Sequence, residues 1–313
     1  MAFKRASQKF NAAINTVTIG AGDKALTLGG ASTLPFYRFD APAAIPARVG
    51  VEILDTGLEN ECAGVRAFYE GCNTVPEMAA RACTMEGADF ICIRLESADP
   101  GAQNTSVEDC VALCKAVAAV VTKPLAVAGC KNAEKDTELF SAIADALQGE
   151  NVLFLSAKEE DYKTMSASVG LAYGHTIGAE SACDINLAKQ LNVLINQMGV
   201  KNTQTVANLG TAAAGYGFEY VSSTMDRVRT AALAQNDAML QTPVVTPVAS
   251  EAWSVKEAIL SENDAPDWGP AEQRGIQMEI ATATAVLASG SDAVILKHPT
   301  SVATIAKLIQ SLA

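Results

Sequence analysis

Histidine and tryptophan are scarce in this chain. There are two of each in 313 residues, and aromatics make up only 5%. With His175 and His298 as the sole imidazoles, a metal site would need several carboxylates close together, and Asp55 with Glu96 alone is a weak set. The eight cysteines contain no C-x-x-C pair, so the clustered thiolates of a zinc or iron–sulfur site are missing. Cys110 and Cys114 are four apart and share a helix face. The others stand singly in apolar contexts, such as Cys92 in "FICIRL", and read as small buried hydrophobes. Basic runs are absent too: the net charge is −12 and the pI near 4.7. That balance argues against nucleic acid or an anionic membrane as partner. No apolar stretch approaches the ~20 residues of a membrane span. The opening "MAFKRASQKFNAAI" has no apolar export core. A cytoplasmic protein is the expectation.

What is present is alternation. Hydrophobic residues form 49% of the chain, enough for one large domain or two small ones. From residue 48 onward, short apolar runs alternate with amphipathic stretches. The runs "RVGVEILD" (48–55), "DFICIRLE" (89–96), "PLAVAGC" (124–130), "NVLFLSA" (151–157), "GLAYGHTI" (170–177), "TQTVANL" (203–209), "TPVVTPV" (242–248) and "DAVILKHP" (292–299) read as strands. A helical pattern follows each. Continuous apolar runs are the mark of strands buried on both faces in a parallel sheet. Eight such units over roughly 250 residues predict an α/β chain folded as a (β/α)8 TIM barrel at 48–313. A doubly wound open sheet is the alternative, but no glycine-rich dinucleotide fingerprint follows the first strand. Ahead of the barrel, "INTVTIGAGDKALTLGG" reads as a β-hairpin around "GAGD". It is expected to cap the N-terminal end of the barrel. "STLPFYRFDAPAAIPARV" reads as a linker, so 1–47 form an N-terminal extension.

Function in such a barrel sits where the strands end at their C-termini. The residues expected there are Asp55, Glu96, Cys130 to Asn132, Ser156, Lys158, His175, Asn208, Pro247 and Lys297 to Pro299. Both histidines are in that set. The set contains no evident nucleophile–base pair. Lys158 and Lys297 are placed for a Schiff base, but no second motif supports one.

The stretch "NLGTAAAGYGFEY" (208–220) raises a separate question. Gly210 and Gly215 have P-loop spacing, yet Tyr216 and Gly217 stand where Lys and Ser/Thr are required. Gly215-Tyr216-Gly217 opens a dinucleotide fingerprint, but Tyr220 occupies the third glycine position. What remains is a strand, a small-residue turn and a helix N-terminus. Such a turn lets a ligand or another backbone come close, or is a plain connection in a packed domain.

A family resemblance rests on "NTVTIG", "TLGGASTLPFYRFD", "LGTAAAGYGFEYVSSTMDRVRTAAL" and "RGIQMEIATATAVLASGSDAVILKHPTSV". Together they resemble the small (delta) subunit of the corrinoid iron–sulfur protein of the acetyl-CoA decarbonylase/synthase system. The similarity runs over nearly the whole chain. It implies a barrel related to pterin-binding methyltransferases, paired with a large (gamma) subunit. That partner would carry the [4Fe–4S] cluster and a corrinoid (B12-type cobalamin) domain. The corrinoid would lie between the partner and the C-terminal face of this barrel. A methyl group would pass from methyl-tetrahydropterin, through a transiently bound methyltransferase, to acetyl-CoA synthase. The cofactor-facing candidates are then Asn208, Gly210, Gly215, Tyr216, Gly217, His175 and His298, with no catalytic residue and no metal ligand. His175 lies in "YGHTIG", similar to the D-x-H-x-x-G of proteins that ligate cobalt through histidine. Tyr173 replaces the aspartate, so the partner that sets the imidazole tautomer is missing. A free-standing pterin-dependent methyltransferase, with Asp55, Asn132 and Asn208 on the pterin, is the runner-up. An aldolase-type barrel using Lys158 or Lys297 is the third reading.

Overall fold

The computed structural model of the chain describes residues 8–35 and 45–312. Strands β1 (Thr16–Ile19) and β2 (Leu26–Gly29) pair antiparallel, with Val17 opposite Leu28. The rest of the linker read at 32–49 falls partly on residues 36–44, outside the described residues. Eight strands follow: β3 (Arg48–Leu54), β4 (Phe90–Arg94), β5 (Leu125–Ala128), β6 (Leu153–Ala157), β7 (Thr176–Glu180), β8 (Thr205–Asn208), β9 (Val245–Pro247) and β10 (Ala293–Leu296). They form one parallel sheet in the order β8-β7-β6-β5-β4-β3-β10-β9. A parallel bridge between Ala207 and Val244 joins its two ends and closes the TIM barrel.

The outer ring is helical: α1 (Ala63–Phe68), α2 (Val75–Ala82), α3 (Val107–Val120), α4 (Ala133–Ala146), α5 (Tyr162–Thr164, continuing as a π-helix over Met165–Ala172), α6 (Ile185–Gln197), α7 (Phe218–Ala234), α8 (Ala249–Ala252), α9 (Lys256–Ile259), α10 (Ala271–Ser289) and α11 (Pro299–Leu312). Local chemistry sets the helix starts. Thr74 and Glu77 form a reciprocal capping box on α2, and Ser106 and Asp184 accept backbone N–H groups at the starts of α3 and α6. Among the described residues, no helix is long and apolar enough to cross a membrane.

Two apolar layers result. The larger lies between strands and helices. The smaller fills the barrel with Phe90, Cys92, Leu153, Leu155, Val206 and Ile295, and is completed by Val17, Ile19 and Leu28 of the hairpin. Large and small side chains alternate in it. A Cβ on Gly50 would fall 2.4 Å from the Phe90 ring, and one on Gly178 would fall 2.4 Å from Leu155. The hairpin docks on the N-terminal ends of the strands. Gly20 N–H donates to the Asn151 carbonyl at 2.8 Å, and Asn151 Nδ2 donates back to the Thr18 carbonyl at 2.7 Å.

One strand differs from the sequence expectation. Residues 170–172 are helical, and β7 starts only at Thr176. The run "MSASVGLA" continues α5 before Gly174 turns the chain with φ 72°. His175 therefore precedes β7 instead of ending it. It sits at the sealed end of the barrel, not at the mouth.

Candidate functional site

The inward-facing positions of the strands recur every second residue. The same registers that supply the core end at the mouth in Arg94, Ala128, Leu155, Glu180, Asn208 and Pro247. These line a cavity of about 360 Å³ at the C-terminal face. On its floor, Arg94 is joined to Glu52 by Nε (2.8 Å) and by a second nitrogen (2.7 Å). Burial opposes the Arg94 charge, but Glu52 outweighs it and the guanidinium pKa is raised. This pair escaped the sequence reading. Its signal was a charged residue at an inward position inside each of two apolar runs, "RVGVEILD" and "FICIRLE".

Asn208 has little left to offer a ligand. Its Nδ2 donates to Ser156 Oγ and Glu180 Oε2, both at 3.3 Å, and its Oδ1 accepts from Gly210 N–H at 3.1 Å. Lys158 lies 3.8 Å from Glu180. Asp55 accepts from the Ser97 backbone (3.0 Å) and hydroxyl (2.5 Å), and burial raises its pKa. Asn132 caps α4 by accepting from Lys135 N–H at 3.0 Å. Of the groups considered for a pterin, Asp55 is therefore tied to the end of the neighbouring strand and Asn132 to its own helix start.

The glycine loop forms one wall. Gly210 has φ 83°, and a Cβ there would come within 3.3 Å of Ala182 and Cys183, so the loop packs flat on the β7–α6 connection. Ala214 N–H donates to Thr282 Oγ1 of α10 at 3.0 Å. Gly215 has φ 88°, and a Cβ there would meet nothing within 4 Å. Gly217, also left-handed, is the N-cap of α7. Tyr216 is half exposed and donates to Glu257. A second hollow of about 490 Å³ lies on the far side of the loop, between Ala213, Tyr216, Val255 and Lys256. Thr211 and Glu251 line both, so the two form one trough.

The histidines separate. His175 is fully buried, with Nε2 2.9 Å from the Ala144 carbonyl and Nδ1 accepting from Val152 N–H at 3.1 Å. Burial lowers its pKa. His298 does follow a strand, β10, but its ring faces sideways. Nδ1 accepts from Thr300 N–H at 3.1 Å, Nε2 lies 3.2 Å from Glu272 Oε1, and the ring stacks on Trp253. Burial lowers its pKa too. Lys297 is committed to Glu61 at 2.8 Å. Neither imidazole presents a free nitrogen to the trough. The structure thus brings Asn208, Gly210, Tyr216 and the other two loop glycines to one rim, sets His298 beside that rim, and puts His175 at the opposite end.

Chemically, the trough offers scattered donors and acceptors (Lys131, Lys158, Ser156, Glu180, Glu251) around a low wall of small residues. Such a surface suits a large, polar-edged ligand lying across the mouth better than a bond-breaking reaction within it. The fold itself is shared with dihydropteroate synthases. Dihydropteroate synthase from Xanthomonas albilineans, solved with 4-aminobenzoic acid, is similar with a TM-score of 0.56 over 95% of this chain and 98% of that one, at 15% identity. The Vibrio fischeri ES114 enzyme is similar at 0.57 and 12% identity, covering 94% and 97% of the two chains. At these identities the likeness shows the fold alone.

Sequence comparison goes further. Subunit delta 2 of the acetyl-CoA decarbonylase/synthase complex of Methanosarcina acetivorans is 32% identical over 298 residues, spanning 94% of this chain and 67% of that protein. Subunit delta of the same complex from Archaeoglobus fulgidus is 32% identical over 300 residues, spanning 94% and 65%. This chain is thus about two thirds as long as these relatives. The model of the CO dehydrogenase/acetyl-CoA synthase delta subunit matches residues 16–305, and the chain belongs to that family.

Proposed function

We propose that this chain is the small subunit of a corrinoid iron–sulfur protein. In this reading its barrel mouth receives a corrinoid carried mainly by a larger partner chain, which also holds the [4Fe–4S] cluster. When bound, the corrinoid supplies the cobalt that takes and gives the methyl group. This chain's residues bind, orient and shield. The trough beside the Gly215 loop is the observation that carries the reading. Its low wall admits a flat macrocycle, and its mixed donors and acceptors suit a rim of carboxamides. A cavity of about 360 Å³ holds a drug-sized ligand, so a corrinoid would lie across the mouth rather than inside it. Both imidazoles are engaged elsewhere, in keeping with a cobalt that takes no histidine from this chain.

Co-expression with a candidate large subunit tests this, read by cobalt content and the visible spectrum of the purified pair. Gly215→Trp is expected to lower cobalt retention and methylation rate several-fold. Gly215→Asn, which tolerates positive φ, is expected to retain both. Unchanged retention in Gly215→Trp would remove the loop from the site. The runner-up, a pterin-dependent methyltransferase, predicts that the isolated chain transfers methyl from methyl-tetrahydrofolate to added reduced cobalamin. No transfer is expected, because Asp55 is already bonded to Ser97 and Asn132 is spent as the cap of α4.

A further inference from the structure

We propose that Cys62, Glu272 and His298 form a site for a divalent cation of borderline softness, zinc in preference to magnesium or calcium. The Cys62 thiol, a Glu272 carboxylate oxygen and a His298 ring nitrogen all lie within 4.8 Å of one another. Tetrahedral zinc with bonds of ~2.0–2.3 Å holds its donors ~3.4–3.7 Å apart. The His298–Glu272 pair, at 3.2 Å, lies slightly inside that spacing, and small side-chain rotations bring the three donors to it. None of the three lines the trough, so the site stands apart from the proposed corrinoid surface and does not depend on it.

Three separate elements supply the donors. Cys62 is the N-cap of α1, Glu272 lies in the first turn of α10, and His298 immediately precedes α11. Gly64 is shaped around the cluster. A Cβ there would fall 2.6 Å from Glu272 Oε1 and 2.7 Å from His298 Nε2. Gly64 N–H instead donates to Glu272 Oε1 at 2.5 Å and orients the carboxylate. His298 is held from behind by Glu279, which accepts its backbone N–H at 3.3 Å, and by the stacked Trp253. The nearest cation, Lys297, is neutralised by Glu61.

Charge and softness select the metal. One thiolate and one carboxylate balance a +2 ion, and the sulfur–nitrogen pair disfavours hard cations that seek oxygen. Capture releases the thiol proton to solvent and forms a metal–sulfur bond. The imidazole proton moves from Nε2 to Nδ1, which frees Nε2 for the metal and costs the Thr300 N–H its acceptor. Three protein donors leave a fourth position for water. The ion would pin the start of α10 to α1 and to the end of β10. Helix α10 also carries Thr282, which fixes the glycine loop, so the clasp stiffens the mouth from outside.

The test uses the full chain, stripped with chelator and dialysed against micromolar zinc or cobalt(II). One metal per chain is expected, with a thiolate-to-cobalt charge-transfer band and a chelator-sensitive melting temperature. Cys62→Ala should abolish the band and weaken retention at least tenfold. Gly64→Ala should also lose metal although every donor is kept. Cys83→Ala, at a half-buried thiol just past the end of α2 and outside the cluster, should behave as the parent. Circular dichroism checks that each variant folds. No retained metal in the parent, a cobalt spectrum without the thiolate band, or equal retention in Cys62→Ala would each overturn the proposal.

Discussion

The two ends of this barrel are built from the same eight strands, yet they are opposite environments. At the N-terminal end a hairpin inserts Val17, Ile19 and Leu28 into the barrel, and the polar groups there, Asn151, Thr176 and His175, bond to backbone. At the C-terminal end the inward registers turn polar: Arg94 (backed by the buried Glu52), Glu180 and Asn208 line the trough. Catalytic and binding barrels generally divide their labour this way: one end holds the fold together, the other is left open. The histidines illustrate the division. Both are buried, but His175 ties α4 to the start of β7 while His298 joins an acidic cluster near the mouth.

The contrast can be broken at its strongest point first. Arg94→Ala leaves Glu52 buried without its partner and should cost about 3–5 kcal/mol in urea denaturation, whereas replacing both by apolar residues of similar size should be nearly neutral. At the sealed end, Ile19→Ala should cost about 2–5 kcal/mol through an unfilled cavity, with cobalt retention by the heterodimer unchanged. A loss of corrinoid there would show that the plug is not merely structural.

Acid–base behaviour separates the ends further. Burial pushes Asp161, just past β6 at the mouth, up to about 6. A raised carboxylate stabilises the fold fully below its unfolded pKa near 3.8, and that contribution is lost as pH rises through about 6. Asp161→Asn should therefore raise stability at pH 7 by about 1–3 kcal/mol, and the gain should vanish by pH 4. The sign reverses at the sealed end. His175 has a lowered pKa, so its contribution is intact above the ordinary histidine value near 6.5 and fades as pH falls below it. His175→Gln should flatten that acid limb in a stability–pH profile. The smallest effect is at the exposed rim: Tyr220→Ala should change stability by less than about 0.5 kcal/mol. Any larger effect of Tyr220→Ala on heterodimer formation would mark α7 as part of the partner surface.

Much of the fold was legible in one dimension. Buried parallel strands leave continuous apolar runs, and seven of the eight expected runs contain the observed strand. The exception, "GLAYGHTI", shows the limit of that signal. A short apolar run with glycines serves a buried helix end as well as a strand, and only packing of the π-helical turn against the barrel decides between them. Starting β7 six residues later, at Thr176, carried His175 from the mouth to the opposite end. The candidate site was legible in part. The glycine loop stood out by composition. The Arg94–Glu52 floor did not, because its two charges are 42 residues apart in sequence and meet only once adjacent strands are in register.

The chain's own pattern determined the barrel, the capping hairpin and the place of the glycine loop, since burial of apolar surface follows periodicity along the sequence. Tertiary structure decided which polar groups are free. Asp55, Asn132 and Asn208 read as available ligands until the fold supplied Ser97, Lys135 and Glu180 as partners. Cys62, Glu272 and His298 read as unrelated until three elements converged on Gly64. A hydrogen-bonding group is satisfied by whatever lies within about 3 Å of it, and that neighbourhood is a property of the folded chain.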